Sequence, residues 1–267
     1  MKKLHKSQIV SKLVVTTPLT TIALLMRNFI ANFVRILGIC KDFAGNRVND
    51  GNVPRCGVVP KFSDLEVVAL GITAEAFGFD SENLLSHRLH HECKDDLPNL
   101  ISRRQFNARR KLTARLAEEI RKDVAVAIDG SEDVFCIDSK PVKVCQNARA
   151  KRCAIGRDNP DASPDRGYCA SQGIRYYGYK LHAVCGIGGV IHSYDMTAAS
   201  VHDLHYLNDV RWEYHDCMML GDKGYLCAEV QKNLFEAANI TLEVPYRQNQ
   251  KNWRPPIWAY KRFHKRI

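Results

Sequence analysis

The chain has 267 residues, of which 45% are hydrophobic and 25% are charged. It is therefore long enough and apolar enough to form a hydrophobic core. Lys and Arg number 39 against 29 Asp and Glu, which gives a net charge of +10. A surplus of this size favours a polyanionic partner such as DNA, because each phosphate contact releases a counterion. An anionic membrane is the competing partner.

The ten cysteines argue against a secreted, disulfide-linked protein. No two of them form a Cys-x-x-Cys pair, so their spacing does not indicate a zinc site. Several lie in apolar, strand-like runs, where a free thiol behaves as a small hydrophobic group. We therefore expect reduced cysteines in a cytoplasmic protein.

The N-terminal segment superficially resembles a signal peptide, but we expect neither a signal peptide nor a membrane span. Threonines dilute its apolar run, no Ala-x-Ala site follows, and Arg27 and Asn28 interrupt the window. Its apolar residues recur instead at helical spacing, namely Ile22, Met26, Phe29, Phe33 and Ile36. This pattern predicts an amphipathic helix that ends at Gly38.

Two further helices are predicted after a loop rich in Gly and Pro. Ser63 and Glu66 form a capping box that begins the first helix. Its expected buried face consists of Leu65, Val68, Ile72 and Ala76. The second helix covers about residues 82–91 and is capped by Asp80 or Ser81. Its three histidines are expected to lie on the helix surface, because no carboxylate or Cys completes a metal-binding set.

A strongly basic helix is predicted to begin at a second capping box, formed by Ser102 and Gln105. It should run to about Ala127, with Leu112, Leu116, Ile120 and Val124 buried. No acidic residue lies between positions 103 and 117. Helix, turn and basic helix are typical of a helix-turn-helix DNA reader, although a solvated basic face is the alternative. The expected DNA contacts are Arg103, Arg104, Asn107, Arg110 and Lys111.

The second half of the chain is predicted to be a mixed α/β domain. The expected strands are residues 134–145, 176–185, 190–197, 217–220 and 240–244, with helices over 201–210 (capped by Ser200) and 228–238. A long polar loop covers residues 146–173. This gives a mixed five-stranded sheet and two domains, a helical DNA-binding region at 1–125 and an α/β domain at 126–267.

Two aspartates follow apolar strands in this second domain. Residues 134–137 lead into Asp138, and residues 217–220 lead through Gly221 into Asp222. Burying an ionised Asp costs several kcal/mol or more unless the carboxylate is paired or holds a metal ion. An Asp facing water at a strand end is the simpler interpretation of each one alone. For the pair we favour a shared Mg²⁺ site, with Mn²⁺ as a substitute, suited to in-line phosphoryl displacement.

Basic residues near these aspartates could contact DNA. Lys180 and His182 lie on a predicted neighbouring strand, and Lys223 follows Asp222 directly. We expect all three to meet phosphate oxygens, although a Lys on a sheet edge is often simply solvated. The tail from residue 247 onward mixes seven cations with aromatic residues and has no acid. That mixture suits a nucleic-acid strand, or the aromatics simply pack the tail on the domain.

Four motifs resemble the DDE transposases of bacterial insertion sequences, with the insertion-sequence family nine-eighty-two as the best match. They are Ile-Asp-Ser-Lys-Pro (137–141), Tyr-Gly-Tyr-Lys-Leu-His (177–182), Ala-Ser-Val-His-Asp (199–203) and Leu-Gly-Asp-Lys-Gly-Tyr (220–225). The resemblance extends to residues 61–66 and 102–107 of the N-terminal part. It implies a ribonuclease-H-like catalytic core, dependence on Mg²⁺, and double-stranded DNA as the partner.

The resemblance also implies an activity and its catalytic residues. The expected reaction is cleavage at terminal inverted repeats and strand transfer into target DNA, by a homodimer on paired ends and without a membrane. Asp138 and Asp222 correspond to the first two acids of the triad. The third, a Glu after an approach like residues 260–267, has no counterpart here, so the sequence predicts a chain truncated before it and impaired in cleavage. Glu229, Glu236 and Glu243 are poor substitutes. The alternatives are an inactive remnant that binds DNA and inhibits the full-length enzyme, and an unrelated ribonuclease-H-like nuclease.

Overall fold

The computed structural model describes residues 22–130, 133–246, 249 and 253–263, with side chains from Asn28 onward except that of Pro160. Among the predicted features, the side chains of Ile22 and Met26 lie outside this description. The tail cations Arg247, Lys251, Lys265 and Arg266 also lie outside it. The chain divides into two compact units, the first ending at Ile128 and the second beginning at Asp129. The sequence predicted this boundary three residues earlier.

The first unit is helical. Its described helices are α1 (Ile22–Ala44), α2 (Asp64–Ala76), α3 (Glu82–Glu92), α4 (Arg103–Leu112) and α5 (Ala114–Asp129). All five contribute to one apolar core, which includes Phe29, Phe33, Leu65, Leu89, Phe106 and Leu116. Both predicted capping boxes are confirmed, with Ser63 and Ser102 each accepting a hydrogen bond from the backbone three residues on. Ser81 caps α3.

Two predictions for helices of the first unit were wrong. One concerned the residue at which α1 ends, and the other concerned the face of α2 that is buried. α1 does not end at Gly38 but continues to Ala44, because the buried residues Ile39 and Cys40 extend its apolar face. The stabilisation from this burial outweighs the cost of about 1 kcal/mol for a Gly inside a helix. On α2, Ile72 is exposed while Leu70 is buried, so the buried face is turned from the predicted one.

The predicted single basic helix is in fact two helices, α4 and α5, which meet at Thr113. The backbone there (φ −91°, ψ 3°) departs from helical values, and the buried Thr113 hydroxyl donates to the carbonyl of Arg109 at 3.0 Å. Hydroxyl groups that bond back to the preceding turn often bend helices. The bend leaves Leu112 77% exposed, which corrects its predicted burial, whereas Leu116 and Ile120 are buried as expected.

The second unit contains a six-stranded mixed sheet within the part of the chain that is described. Its strands are β1 (Val134–Cys145), β2 (Asp165–Cys169), β3 (Ile174–Gly186), β4 (Ile191–Ala198), β5 (Met218–Gly221) and β6 (Thr241–Glu243). They follow the order β2-β3-β1-β5-β6, and β4 also pairs with β3. The antiparallel β1–β3–β4 meander is confirmed, and β5 runs parallel to both β1 and β6.

β2 is the strand that the sequence did not predict. Its residues, Asp-Arg-Gly-Tyr-Cys, lack an apolar alternation and lie within the polar loop. The strand forms because it pairs with β3 and because Gly167 lies directly against Ala199, where a Cβ would come within 2.6 Å of the Ala199 carbonyl oxygen. Tertiary pairing therefore overrides local composition.

Among the described residues of the second unit, three α-helices accompany the sheet: α6 (Leu207–Glu213), α7 (Ala228–Ala238) and α8 (Trp258–Phe263). α6 and α7 pack on the sheet core around Ile137, Val184 and Met219. The prediction of a helix over residues 201–210 was wrong for its first half, because the α-helix begins only at Leu207. His202 is extended, and its ring accepts from the Leu204 N–H, so the chain first makes a 3₁₀ turn over Asp203–Tyr206.

None of the ten cysteines, all of which belong to the described residues, forms a disulfide bond in the structure. Among the helices of the described residues, none is long and apolar enough to span a bilayer.

Candidate active site

Asp138 lies within β1, and Asp222 directly follows the neighbouring parallel strand β5 at the same level. Ile137 of β1 is the register partner of Gly221 of β5, and each aspartate is the next residue along its chain. Adjacent strands in a sheet lie about 4.8 Å apart. Both aspartates line one open cleft, together with Lys180, Lys223 and other residues.

Local hydrogen bonds orient the two carboxylates. Oδ1 of Asp138 accepts from the backbone N–H of Ser139 at 2.7 Å. Asp222 is the N-cap of a short 3₁₀ turn, where its Oδ1 accepts from the Gly224 N–H at 2.6 Å. A Cβ at position 224 would lie 2.8 Å from that same oxygen, so glycine leaves the room that the carboxylate needs.

The pKa of Asp138 is raised above its ordinary value. Although the Asp138 side chain is exposed at the surface of the cleft, the main cause is desolvation by the surrounding protein, and the negative charges of Asp222 and Asp203 raise the pKa further. The hydrogen bond from Ser139 opposes these effects but does not outweigh them. The ionised carboxylate is thus destabilised, and a cation bound beside it would relieve the repulsion.

A third acid, Asp203, lines the same cleft and was missed as a site residue by the sequence analysis. Its Oδ1 accepts from Lys180 Nζ at 3.0 Å and from Ser139 Oγ at 3.1 Å. The signal was available in the Ala-Ser-Val-His-Asp motif, which ends at this residue. Asp138 and Asp222 were selected because each follows an apolar run that predicts a strand. Asp203 does not follow such a run, so this criterion did not select it.

The three predicted phosphate contacts of the second unit differ in position. Lys180 and Lys223 line the cleft, as expected for residues that meet a ligand there. His182 is fully buried, which corrects its predicted place beside DNA. Its Nε2 lies 2.8 Å from Thr197 Oγ1, its ring stacks on Tyr206, and burial lowers its pKa. The 3₁₀ turn that carries Tyr206 covers this part of β3.

The buried ring of Tyr225 lies next to the acidic cluster. Its side chain is 1% exposed, and its hydroxyl has no hydrogen-bond partner among the described residues. Burial is the main cause of its raised pKa, and the charges of Asp203, Asp138 and Asp222 contribute. The hydroxyl therefore stays protonated beside the carboxylates.

The C-terminal helix α8 also reaches the two aspartates. Burial raises the pKa of Tyr260, and Asp222, Cys136 and Asp138 raise it further, which places this ring near them. Arg262 lies over the rings of Trp258 and Phe263 at 5.1 and 5.4 Å. The described part of the tail therefore combines packing near the site with exposed cations.

None of the weaker acidic candidates joins the aspartates. Glu243 is the register partner of Leu220 and lies 3.5 Å from Arg254, while Glu236 pairs with Lys232 on α7. Glu229 is exposed in the first turn of α7. Within the described residues, no group of three His, Cys, Asp or Glu side chains is arranged to hold a metal ion.

The carboxylates of Asp138 and Asp222 nevertheless fit Mg²⁺, which binds through few protein oxygens and keeps several waters. The raised pKa of Asp138 fits a site that is completed by a cation.

On α4, the predicted DNA contacts fall into two groups. Arg103, Arg104 and Lys111 are exposed. Asn107 donates to both carboxylate oxygens of Glu82 at 3.0 Å, and Arg110 lies 3.2 Å from the same side chain. These two residues already have partners within the first unit.

The family comparison agrees with the geometry of the second unit. Residues 129–266 match the family described as the transposase DDE domain, a family that implies a ribonuclease-H-like fold. No curated protein and no solved structure matches the chain. The family match covers just over half of the sequence and includes both Asp138 and Asp222. The chain therefore belongs to the transposases with a DDE domain.

Proposed function

We propose that this transposase cleaves insertion-sequence DNA at terminal inverted repeats and joins the freed ends to target DNA, as a member of the insertion-sequence family nine-eighty-two. One observation carries the proposal. Asp138 and Asp222 follow register partners on parallel strands and line one cleft, where the charge of Asp222 raises the pKa of Asp138.

The proposed cofactor is Mg²⁺, with Mn²⁺ as a substitute, and Asp138 and Asp222 would hold it. When bound, it would activate the attacking hydroxyl group and stabilise the charge that develops on the leaving oxygen. Lys180 and Lys223 line the same cleft and supply positive charge for the oxygens of the scissile phosphate.

The reaction has two phosphoryl transfers with the same balance of bonds. In the first, a water oxygen bonds to phosphorus while the bond from phosphorus to the 3′-oxygen breaks, which frees a 3′-hydroxyl. In the second, that hydroxyl attacks a target phosphodiester and displaces the 3′-oxygen of the target strand. Holding the reactants in line provides much of the rate enhancement.

The helical first unit is proposed to bind the inverted repeats. Arg103, Arg104 and Lys111 are exposed cations on one short helix and suit DNA phosphates. Asn107 and Arg110 would have to leave Glu82 before they could contact DNA. A homodimer on paired ends is part of the same proposal.

A cleavage assay tests the proposed function. Labelled DNA carrying the inverted repeats is incubated with the protein and Mg²⁺ or Mn²⁺, and nicked products are resolved on a denaturing gel. Nicking by the wild type that is lost in Asp138→Asn but kept in Asp209→Asn supports the proposal. Asp209 is a suitable control because it is an exposed Asp of the same unit that does not line the cleft.

The alternative function is DNA binding without cleavage. It is favoured by the lack, within the described residues, of a third side chain arranged to complete a metal-binding group. Tight, salt-sensitive binding of inverted-repeat DNA with no nicking in either metal would support this alternative. It would also exclude the enzymatic proposal for this chain.

A further inference from the structure

Asp203 occupies a fixed place at the edge of the cleft. The preceding segment is tied to β3 by a hydrogen bond from Ala199 N–H to the Gly178 carbonyl at 3.1 Å. The 3₁₀ turn that begins at Asp203 is capped by His202. The position of this carboxylate is therefore set by backbone contacts on both sides of it.

One oxygen of Asp203 holds two donors from neighbouring strands. Oδ1 accepts from Lys180 Nζ at 3.0 Å and from Ser139 Oγ at 3.1 Å. Lys180 Nζ also donates to the Val201 carbonyl at 2.7 Å. An ammonium group has three N–H donors, so two of them are used to fix Lys180 and the geometry leaves one for a ligand in the cleft. The Lys180 side chain is only 15% exposed.

The other oxygen of Asp203 faces the turn at Gly224, which follows Asp222. Oδ2 lies 3.6 Å from the position that a Cβ on Gly224 would take, and Asp222 Oδ1 lies 2.8 Å from the same position. The two oxygens of Asp203 thus contact the Lys180 ammonium on one side and lie near the turn of Asp222 on the other. A Lys side chain is long and flexible, and without this anchor the nearest other anions in the cleft would be Asp138 and Asp222. Such a pairing would compete with the cation that these two residues are proposed to hold.

The contacts distinguish two roles for Asp203. As a metal ligand, it would have to form a group with the other two acids, but the described side chains contain no such three-membered group. Its Oδ1 is already shared by two donors, an arrangement suited to orienting a cationic side chain. Similar outer contacts commonly orient the groups that touch substrate.

We propose that Asp203 is a positioning residue that holds the Lys180 ammonium toward the scissile phosphate and away from Asp138 and Asp222. The inference rests on the proposed cleavage function. Its role differs from that of the two aspartates because it acts through Lys180 and does not touch the reacting atoms.

Kinetics of cleavage test this role with two substitutions at one position. Asp203→Ala should lower kcat by about 10- to 100-fold and change KM for DNA by less than about twofold, because the misplaced Lys180 loses its interaction with the phosphate. Asp203→Asn should keep more activity than Asp203→Ala, since its amide oxygen can still accept from Lys180 and Ser139. Asp209→Asn should match the wild type.

A double variant tests whether Asp203 acts through Lys180. If it does, Asp203→Ala combined with Lys180→Met should be no slower than Lys180→Met alone. Multiplied losses would overturn the proposal. Equal inactivity of Asp203→Asn and Asp203→Ala, together with a higher Mg²⁺ requirement, would overturn it in favour of a metal-ligand role.

A measurement without DNA or metal separates this inference from the proposed function. The rate at which Lys180 is acetylated by acetic anhydride can be followed by peptide mass spectrometry in the folded 267-residue protein. Acetylation should be several-fold faster in Asp203→Ala than in the wild type or Asp209→Asn, and circular dichroism would show that each variant is folded. Unchanged labelling would overturn the inference. If Lys180 is acetylated faster in Asp203→Ala than in the wild type, as expected, but the wild type never cuts DNA, only the proposed function is overturned.

Discussion

Ile137 and Gly221 are register partners on parallel strands, and this pairing brings the next residues, Asp138 and Asp222, to the same level of the sheet. The arrangement is electrostatically unfavourable, because the charge of Asp222 raises the pKa of Asp138. Buried residues of the two strands themselves, Ile137 of β1 and Leu220 of β5, keep the strands in register. The core thus maintains a carboxylate pair that would otherwise move apart.

Neutralising either aspartate should abolish cleavage while DNA binding persists. Asp138→Asn or Asp222→Asn removes a charge that would hold Mg²⁺, and we expect cleavage to fall by about 10²- to 10³-fold or more. The amide still accepts the backbone hydrogen bond at each position, so the fold is retained. Gel-based nicking and binding assays on the same DNA measure both effects. Cleavage at the wild-type rate in either variant would remove that carboxylate from the mechanism.

Asp138→Asn should also raise the thermal stability of the metal-free protein at neutral pH. The folded-state pKa of Asp138 is raised, so the folded protein binds this proton more tightly than the unfolded chain does. Stability therefore falls as the pH rises through the folded-state pKa, and the ionised group costs stability above it. The amide does not ionise and removes this cost.

Thermal unfolding in the presence of a metal chelator at several pH values tests whether the ionised Asp138 carboxylate lowers stability. The Tm of Asp138→Asn should exceed that of the wild type at pH 7, and the difference should shrink as the pH approaches about 4, the ordinary range for Asp. Asp209→Asn serves as the matched exposed substitution. A Tm for Asp138→Asn that is below the wild type at pH 7 would contradict the expected electrostatic strain.

Much of the second unit could be predicted because its signals are local. The apolar run before Asp138 predicted β1 with the bounds that the structure has, Val134–Cys145. The four glycine and apolar residues between β3 and β4 predicted their antiparallel pairing. Capping boxes at Ser63 and Ser102 were equally local, since each depends on residues only three positions apart.

The features that the sequence did not reveal depend on distant contacts. β2 forms because β3 and Ala199 provide a partner surface, and nothing in its own five residues indicates a strand. His182 is buried because the turn carrying Tyr206, which is distant in sequence, covers it. Asp203 became a site residue only when Lys180 and Ser139 were brought to it from two strands.

The buried carboxylate of Asp64 should be important for the stability of the first unit. It is fully buried, pairs with Arg55, and accepts from Arg109 Nη2 at 2.6 Å and from the Val53 N–H at 3.0 Å. Asp64→Ala would leave the guanidinium of Arg109 without its carboxylate partner and the Val53 N–H without its acceptor, which costs about 3–5 kcal/mol. Urea unfolding of the full chain measures the loss. Asp80→Ala, an exposed Asp of the same unit, should cost less than about 0.5 kcal/mol.

Glu82 should weaken DNA binding because it pairs with two residues of α4, Asn107 and Arg110, that are predicted to contact DNA. It accepts from Asn107 at 3.0 Å and lies 3.2 Å from Arg110. Glu82→Ala would free Asn107 and leave Arg110 only its longer contact with Glu75 at 3.8 Å, and we expect inverted-repeat DNA to bind about two- to fivefold more tightly. The slope of log K against log salt should steepen by about 0.9 if Arg110 gains one phosphate contact.

Glu92→Ala is the matched control for this prediction, because Glu92 lies on the same helix and carries the same charge but pairs with Arg88. Its removal changes the net charge without releasing Asn107 or Arg110. Fluorescence anisotropy titrations at several salt concentrations compare the two variants with the wild type. Equal affinity and equal salt slope in Glu82→Ala and Glu92→Ala would show that neither Asn107 nor Arg110 contacts DNA, and the DNA-binding face would then have to exclude them.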